Sequence, residues 1–277
     1  MPPMKLPFLF LLLSFSFLAQ AQRFQGKILD HKNAPVPFVN IGVIGQGVGT
    51  VSSEQGTFIL SLPDSLDART LQVSAIGYRP VTWKVGEFKQ KFGSREAVIH
   101  LKEEAVALRE VVVRPQKFKT KVVGNETDSK SIMGGFKSNG LGSEIGTVLS
   151  INRPSFLEKV TFNLANNAYD TLFLRINIYR MGKNGPEENL LSAPIYLTAL
   201  KKDVVNGISL DMQEHQIYLE ADVLLSLELV KDLGHGGLLF SGGFMNSDSY
   251  FRKASQDVWQ KVPIIGLGFN ATISFAK

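Results

Sequence analysis

Between Gln25 and Tyr78 the chain is a series of short, alternating apolar segments separated by glycines and polar turns. In the segment after Pro37, Val39, Ile41 and Val43 fall on one face, and the polar turn at residues 53–56 ends in a glycine. Period-two alternation over four to eight residues is typical of half-buried strands. No segment between residues 23 and 114 shows helical periodicity. The pattern therefore predicts a small β-sandwich.

A secretion signal precedes this region. Lys5 supplies a positive charge, Leu6–Leu18 is apolar, and Ala19-Gln20-Ala21 has the small-x-small pattern of a cleavage site. We therefore predict a signal peptide over residues 1–21; an uncleaved anchor is the alternative. No later stretch is long and apolar enough to span a membrane, so we expect no transmembrane segment after cleavage. The expected location is the periplasm, the outer membrane or the cell surface.

Composition excludes several classes of function. The chain contains no cysteine, which excludes disulfides, thiolate metal sites and a cysteine nucleophile. Its formal net charge is only +5 over 277 residues, so it lacks the electrostatic footprint of a nucleic-acid-binding protein. The basic residues around Arg114–Lys121 are typical of a linker. We expect no nucleic-acid partner.

Five sequence blocks in the N-terminal region carry a family resemblance: Gly26-Lys27-Ile28-Leu29-Asp30, Pro35-Val36-Pro37-Phe38-Val39-Asn40-Ile41, Gly49-Thr50-Val51, Gly56-Thr57-Phe58 and Ile76-Gly77-Tyr78. In this order they resemble the carboxypeptidase-regulatory-like domain, a transthyretin-like module of exported Bacteroidetes proteins, over about residues 23–101. The resemblance implies a Greek-key β-sandwich that is a non-catalytic appendage. In that family the domain often precedes a TonB-dependent receptor, but the remaining chain is too short for such a barrel.

The rest of the chain is interpreted as a linker and a second domain. Residues 22–116 are assigned to the first domain, residues 117–142, rich in Lys, Ser, Asn and Gly, to a linker, and residues 143–277 to a C-terminal β-sandwich. Alternation is clearest in Thr171–Tyr179, and about ten short strands predict a jelly-roll-like sandwich. This half is similar to the lectin-like sandwiches of secreted bacterial proteins. The predicted fold class is all-β.

Two candidate catalytic motifs lack the other residues that their chemistry requires. His100 and Glu103 have the spacing of zinc carboxypeptidase ligands, but His215, the third candidate, lies in the other predicted domain. His235-Gly236-Gly237 is similar to an esterase oxyanion loop, yet the chain has no nucleophile elbow. We therefore predict no catalytic residue, no metal ligand and no cofactor.

The best binding candidates are Trp259, Tyr250, Phe251 and Arg252. Aromatic faces and a guanidinium can stack against sugar rings or pack against a protein. The alternative is that Trp259 and Phe251 belong to the core. A fainter second group consists of Tyr169, Tyr179 and Arg175.

These observations predict an exported, non-enzymatic envelope protein that binds a glycan or a protein partner. The alternative is a structural or assembly accessory of an outer-membrane system of the TonB-dependent type, in which sheet edges recognise the partner by strand addition.

Overall fold

The computed structural model of the chain describes residues 21–104, 117–204, 206–244 and 247–277. The predicted signal peptide lies outside the described residues except for Ala21, as do residues 105–116 of the predicted first domain. Within the described ranges, no helix has both the length and the apolarity that crossing a membrane requires.

The N-terminal domain is built from short strands and one helix: β1 (Ala21–Leu29), β2 (Asn40–Val43), β3 (Val48–Val51), β4 (Thr57–Pro63), β5 (Thr70–Ser74), β6 (Tyr78–Arg79), β7 (Val81–Lys84), α1 (Val85–Phe92), β8 (Ala97–His100) and β9 (Lys102–Glu103). One sheet has the order β4-β1-β8, with β1 and β8 parallel, and the other has the order β3-β2-β5-β7. Strands β6 and β9 form a separate pair. The two main sheets enclose one apolar core, as the alternation predicts.

Helix α1 was not expected, because no segment of this region shows helical periodicity in the sequence. Val85 and Phe88 are buried, and Phe88 lies at the centre of an aromatic cluster, 5.4 Å from Phe24, 5.8 Å from Trp83 and 4.8 Å from Phe92 between ring centroids. The helix is only two turns long and follows β7 directly, so its three apolar residues were too few to show a helical period in the sequence.

The C-terminal domain contains the remaining strands: β10 (Phe118–Gly124), β11 (Met133–Phe136), β12 (Glu144–Leu149), β13 (Ser155–Asn167), β14 (Thr171–Gly182), β15 (Gly185–Asn189), β16 (Ile195–Leu200), β17 (Gly207–Asp211), β18 (Tyr218–Leu219), β19 (Val223–Glu228), β20 (Leu238–Phe244), β21 (Ser249–Arg252), β22 (Gln260–Val262), β23 (Ile265–Leu267) and β24 (Phe269–Ala276).

These strands form two antiparallel sheets. The back sheet has the order β10-β24-β13-β20-β11, with β17 and β18 paired to β13 and β23 paired to β20. The front sheet has the order β15-β14-β19-β12-β21-β22, with β16 paired to β14. Their inner faces share a large apolar core that includes Phe162, Phe240 and Phe269. The all-β fold class with two sandwiches is confirmed.

Two strands lie within the stretch that the sequence assigned to a linker. Strand β10 runs along β24, and β11 runs along β20 at the other edge of the back sheet. Strand β10 was not recognised because it is an edge strand in which only Val123 is buried. Strand β11 is short and contains two adjacent glycines, which are typical of a loop. The described chain from residue 117 onward therefore belongs to the C-terminal sandwich.

The two domains pack against each other through a small interdomain apolar cluster. Phe38 and Val51 of the N-terminal domain meet Val230, with Leu141, Phe173 and Tyr196 around them. The Phe38 ring lies 5.0 Å from Phe173 and 5.3 Å from Tyr196 between centroids. The outer face of the front sheet is thus covered by the N-terminal domain at this point.

Candidate functional site

The outer face of the front sheet carries a buried polar network. In β14, Arg175, Asn177 and Tyr179 alternate onto this face, and all three are buried. Neighbouring strands add their own buried polar side chains: Ser226, Glu228, Glu144 and Arg252. Because side chains alternate across a strand, four strands bring two arginines and two glutamates to one surface.

The first ion pair of this network joins the domains. Arg175 donates from Nη2 and Nε to Glu228 Oε2, at 2.7 and 3.1 Å. It also donates from Nη1 to the carbonyl oxygen of Phe38, at 2.7 Å, and from Nη2 to Asn40 Oδ1. Asn40 in turn donates from Nδ2 to Glu228 Oε1, at 2.9 Å. An ion pair of the C-terminal sheet is therefore completed by the N-terminal domain.

Phe38 has an unusual backbone conformation at this contact. Its φ is +52°, a region that bulky residues rarely adopt. Such a conformation persists only where the surroundings over-determine it. Here the ring packs into the interdomain apolar cluster while the carbonyl accepts the Arg175 hydrogen bond.

The second ion pair lies toward the other edge of the front sheet. Arg252 donates from Nη2 and Nε to Glu144 Oε2, at 2.5 and 2.9 Å, and from Nη2 to the Tyr179 hydroxyl, at 3.0 Å. Asn177 donates from Nδ2 to both carboxylates, at 2.8 Å to Glu144 Oε1 and 2.9 Å to Glu228 Oε2. The two ion pairs thus form one continuous network.

The two carboxyl groups respond differently to this environment. Burial raises the pKa of Glu144, and the charge of Arg252 opposes that rise without cancelling it. Burial would also raise the pKa of Glu228, but the charges of Arg175 and Arg252 outweigh it and the pKa is lowered. Both carboxyl groups are paired and shielded from solvent, so neither is placed to act on a substrate.

A loop of the C-terminal domain reinforces the interface. In residues 253–259, the Gln256 carbonyl accepts from Gly45 N–H at 2.9 Å, and Asp257 Oδ1 accepts from Gly47 N–H at 3.0 Å. A Cβ at Gly42 would lie 2.1 Å from the Ser255 carbonyl oxygen, so the loop's approach to β2 requires a glycine there.

Of the predicted binding residues, Arg252 belongs to the network, and Trp259 and Tyr250 lie beside it on the same face. The Arg252 guanidinium sits 4.8 Å from the Trp259 ring centroid, and Tyr179 meets Trp259 edge-on at 5.4 Å. Trp259 and Tyr250 are half-buried. We call these two residues the aromatic shelf.

The other predicted binding residues have different positions. Arg175 and Tyr179, from the fainter group, join the buried network, whereas Tyr169 is buried elsewhere, beside Gly236. Phe251 lies on the opposite face of β21 from Tyr250 and Arg252, toward the sandwich interior, and is half-buried. Arg252 is buried and ion-paired with Glu144. Its role is therefore to hold the Trp259 ring in position.

The sequence did not identify Glu144, Glu228, Asn177 or Asn40 as members of the network. They lie in strands that are far apart in the chain. Strand register brings Glu144, Glu228 and Asn177 together, whereas Asn40 reaches them through the packing of the two domains. Alternation in Thr171–Tyr179 indicated a polar face, but nothing in that segment showed what would cover it.

The zinc candidates of the sequence do not converge. His100 Nε2 lies 3.1 Å from Asn33 Oδ1. Over the residues that the structure describes, one group of three candidate ligands has all its ligand atoms within 4.8 Å of one another, and it consists of Asp30, His31 and Glu103. It contains neither His100 nor His215.

A groove lies where the two domains meet along β4. Strand β4 is the edge of its sheet, and no described strand pairs with its outer side. The groove measures about 810 Å³ and has apolar walls from both domains, including Phe38, Val51, Ile59, Leu141 and Val230. Ile59 is 48% exposed there.

Comparison with known proteins identifies the first domain. Residues 24–113 match the family model of the CarboxypepD_reg-like domain, which confirms the resemblance seen in the sequence. A search of curated proteins found no match.

Solved structures show only distant similarity. The major pilin subunit of Bacillus cereus aligns at 9% identity over 89% of this chain and 69% of its own, with a TM-score of 0.19. The VP2 subviral particle of infectious bursal disease virus aligns at 10% identity over 86% of this chain and 60% of its own, with a TM-score of 0.24. A carbohydrate-binding module of the β-sandwich superfamily aligns at 9% identity over 87% of this chain and 97% of its own, with a TM-score of 0.19. TM-scores this low do not indicate a shared fold.

Proposed function

We propose that this chain, whose residues 24–113 match the CarboxypepD_reg-like family, is a non-enzymatic binding protein exported to the bacterial envelope, and that it binds a glycan on the aromatic shelf. The N-terminal domain acts as the module that fixes the C-terminal sandwich in place. The observation that carries this proposal is the packing of the Trp259 ring against both Arg252 and Tyr179, which fixes its position.

A ring held in this way suits ligand binding because little side-chain freedom is lost when the ligand arrives. The Arg252 guanidinium donates two hydrogen bonds to Glu144, which fix its orientation under the Trp259 ring. Trp259 is therefore fixed by the same network that joins the domains.

Polar groups next to the shelf supply hydrogen bonds for sugar hydroxyls. Tyr250 and Lys261 are opposite each other in the β21–β22 register, and Lys261 Nζ lies 2.6 Å from Asp248 Oδ2. All three side chains are at least partly exposed. Aromatic faces bordered by a few convergent polar groups are typical of small-ligand sites.

The test is a glycan array probed with the mature chain, residues 22–277, and with Trp259→Ala and Tyr250→Ala. Each variant should weaken binding roughly tenfold or more, as loss of an aromatic anchor does. Tyr250 lies outside the ion-pair network, so its variant is informative even if Trp259→Ala disturbs folding. Tyr218→Ala is the matched control, because Tyr218 is a 37% exposed tyrosine on the other sheet.

Two results would contradict the glycan proposal. One is that the folded wild-type protein binds no glycan on the array. The other is that both shelf variants, folded as judged by circular dichroism, bind as well as the wild type.

Export itself is tested by the mature N-terminus. After expression with its native leader in a Gram-negative host, the protein should be recovered from the envelope fraction with Gln22 as its first residue. A product that retains residues 1–21 would support the uncleaved anchor instead.

The groove along β4 favours a second candidate function, the capture of an extended segment of an outer-membrane protein. Among the described residues no strand pairs with the outer edge of β4, so a partner segment could add a strand there and bury Ile59. The groove is continuous with the interdomain apolar cluster, since both contain Phe38, Val51 and Val230. A partner segment would extend an apolar interface that already exists.

This candidate is tested by co-purification from detergent-solubilised outer membranes. Ile59→Arg should abolish recovery of the partner, whereas Val98→Arg should not. Val98 is a matched control because it is 42% exposed on β8, the opposite edge of the same sheet. Equal recovery with both variants would exclude the β4 edge as the recognition surface.

A further inference from the structure

We propose that Asp30, His31 and Glu103 form a binding site for one transition-metal ion, with Zn²⁺ as the best fit. These side chains lie in the N-terminal domain and take no part in the aromatic shelf or in the groove. They combine one imidazole nitrogen with two carboxylates, a ligand type that suits zinc.

Local turn geometry fixes the first two ligands. Asp30 follows β1 and accepts through Oδ1 from the backbone N–H groups of Lys32 and Ala34, both at 2.8 Å. The Asp30 N–H donates to the Ala34 carbonyl, also at 2.8 Å, which closes the turn that contains His31. These hydrogen bonds hold the Asp30 carboxylate in a fixed orientation next to His31.

Strand pairing brings the third ligand to this turn. The parallel pairing of β1 with β8 is continued by a hydrogen bond from Leu101 N–H to the Leu29 carbonyl, at 2.8 Å. The chain therefore runs beside the turn as it enters β9, in which Glu103 lies opposite Tyr78. His31 Nδ1 then lies 3.9 Å from Glu103 Oε1.

The separations are close to those of ligands on a shared ion. The ligand atoms of the three residues all lie within 4.8 Å of one another. Two ligands bound at about 2.0–2.2 Å to a tetrahedral zinc are roughly 3–4 Å apart. The side chains of His31 and Glu103 are 49% and 58% exposed, so small rotations can close the remaining distance.

The electrostatics at this position favour a cation. The ligand atoms of Asp30 and Glu103 lie within 4.8 Å of each other and of the His31 ring nitrogen, so two carboxylates together attract a cation to this position. Calcium and magnesium are a poorer match, because they prefer larger sets of oxygen ligands without nitrogen.

A metal ion here would connect the end of β1 to the last strand before residue 105. The chain has no cysteine, so a disulfide cannot provide this cross-link. A bound ion would therefore cross-link the end of β1 to β9, and it would stabilise the folded state by mass action.

The experiment is calorimetric titration of ZnCl₂ into the mature chain after dialysis against a chelator and then against metal-free buffer. We expect one ion per chain and a rise in the unfolding temperature with added zinc, but no rise with MgCl₂. His31→Ala and Glu103→Gln should each weaken binding at least tenfold. His235→Ala is the matched control, since His235 is an exposed histidine outside the cluster.

Histidine ring NMR signals locate the ion independently. The chain contains four histidines, and zinc should shift the His31 signals far more than those of His215 or His235. The proposal is overturned if the wild-type protein shows no zinc-dependent heat or stabilisation. It is equally overturned if folded His31→Ala and Glu103→Gln bind zinc as the wild type does.

Discussion

Arg175 in the C-terminal sheet donates a hydrogen bond of 2.7 Å to the carbonyl oxygen of Phe38 in the N-terminal domain. The same guanidinium is ion-paired with Glu228 inside its own sheet. One buried side chain therefore neutralises a carboxylate of its own domain and binds a backbone carbonyl of the other domain.

Removing Arg175 is expected to destabilise the protein strongly. In Arg175→Met, Glu228 keeps a buried charge without its main partner, which typically costs about 3–5 kcal/mol. Urea unfolding of the mature chain at neutral pH measures the change. Arg180→Met is the control, because Arg180 lies in the same strand and forms an exposed pair with Glu188 at 2.7 Å. Its loss should cost at most about 1 kcal/mol, and equal costs would contradict the buried network.

The two glutamates should differ in their tolerance of neutralisation. The pKa of Glu144 is raised by burial, so this position already favours an uncharged side chain. At Glu228 the charge of Arg175 overcomes burial and lowers the pKa, so the charge is favoured there. Glu228→Gln should therefore lower the free energy of unfolding at pH 7 more than Glu144→Gln does. The reverse order in urea unfolding would contradict this assignment.

Acid should weaken the protein partly through Glu228. Its folded pKa is lower than the ordinary value of 4.5, so its stabilising contribution is present above that value and is lost as the pH falls through the lowered pKa. Burial raises the pKa of Glu144, so its contribution to folding stability has the opposite pH dependence. That contribution is present at low pH and is lost as the pH rises through the folded pKa. Below pH 4.5, Glu228→Gln should therefore lose stability less steeply than the wild type. An unchanged slope would exclude Glu228 as a source of acid sensitivity.

A methyl group at Gly42 should disturb the contact between the domains. Its Cβ would lie 2.1 Å from the Ser255 carbonyl oxygen, so residues 253–259 must move away from β2. Gly42→Ala should lower the unfolding temperature and increase amide exchange at Gly45, whose N–H is bonded to Gln256. Gly86→Ala is the control, since its nearest atoms would be 3.5 Å away, and it should leave stability unchanged or raise it by up to about 1 kcal/mol. Equal effects would argue against a close approach at Gly42.

Much of the architecture could be predicted because a strand with one buried face has alternating apolar and polar residues in its sequence. Strand β14 begins at Thr171, as predicted, and its alternate residues Leu172, Leu174, Ile176 and Ile178 enter the core. Strand β10 was missed because it is an exposed edge that contributes one buried residue. Helix α1 was missed because it is two turns long and follows a strand without a polar break.

The candidate site was predicted only in part. Trp259 and Arg252 are near each other in sequence, and the structure brings them together. The partners of Arg252 come from strands more than 70 residues away, such as Tyr179 at a separation of 73. Sheet register decides such pairings, and a single sequence does not contain that register. The covering of the polar face by the N-terminal domain depends on how two separate domains pack.

The central claim is that the two domains form one structural unit through this interface, and that the aromatic shelf depends on it. Differential scanning calorimetry of the mature chain tests this most directly. We expect one transition whose calorimetric and van't Hoff enthalpies agree, and a lower temperature for the whole of that transition in Arg175→Met. Two separate transitions in the wild type, of which Arg175→Met moves only one, would contradict it.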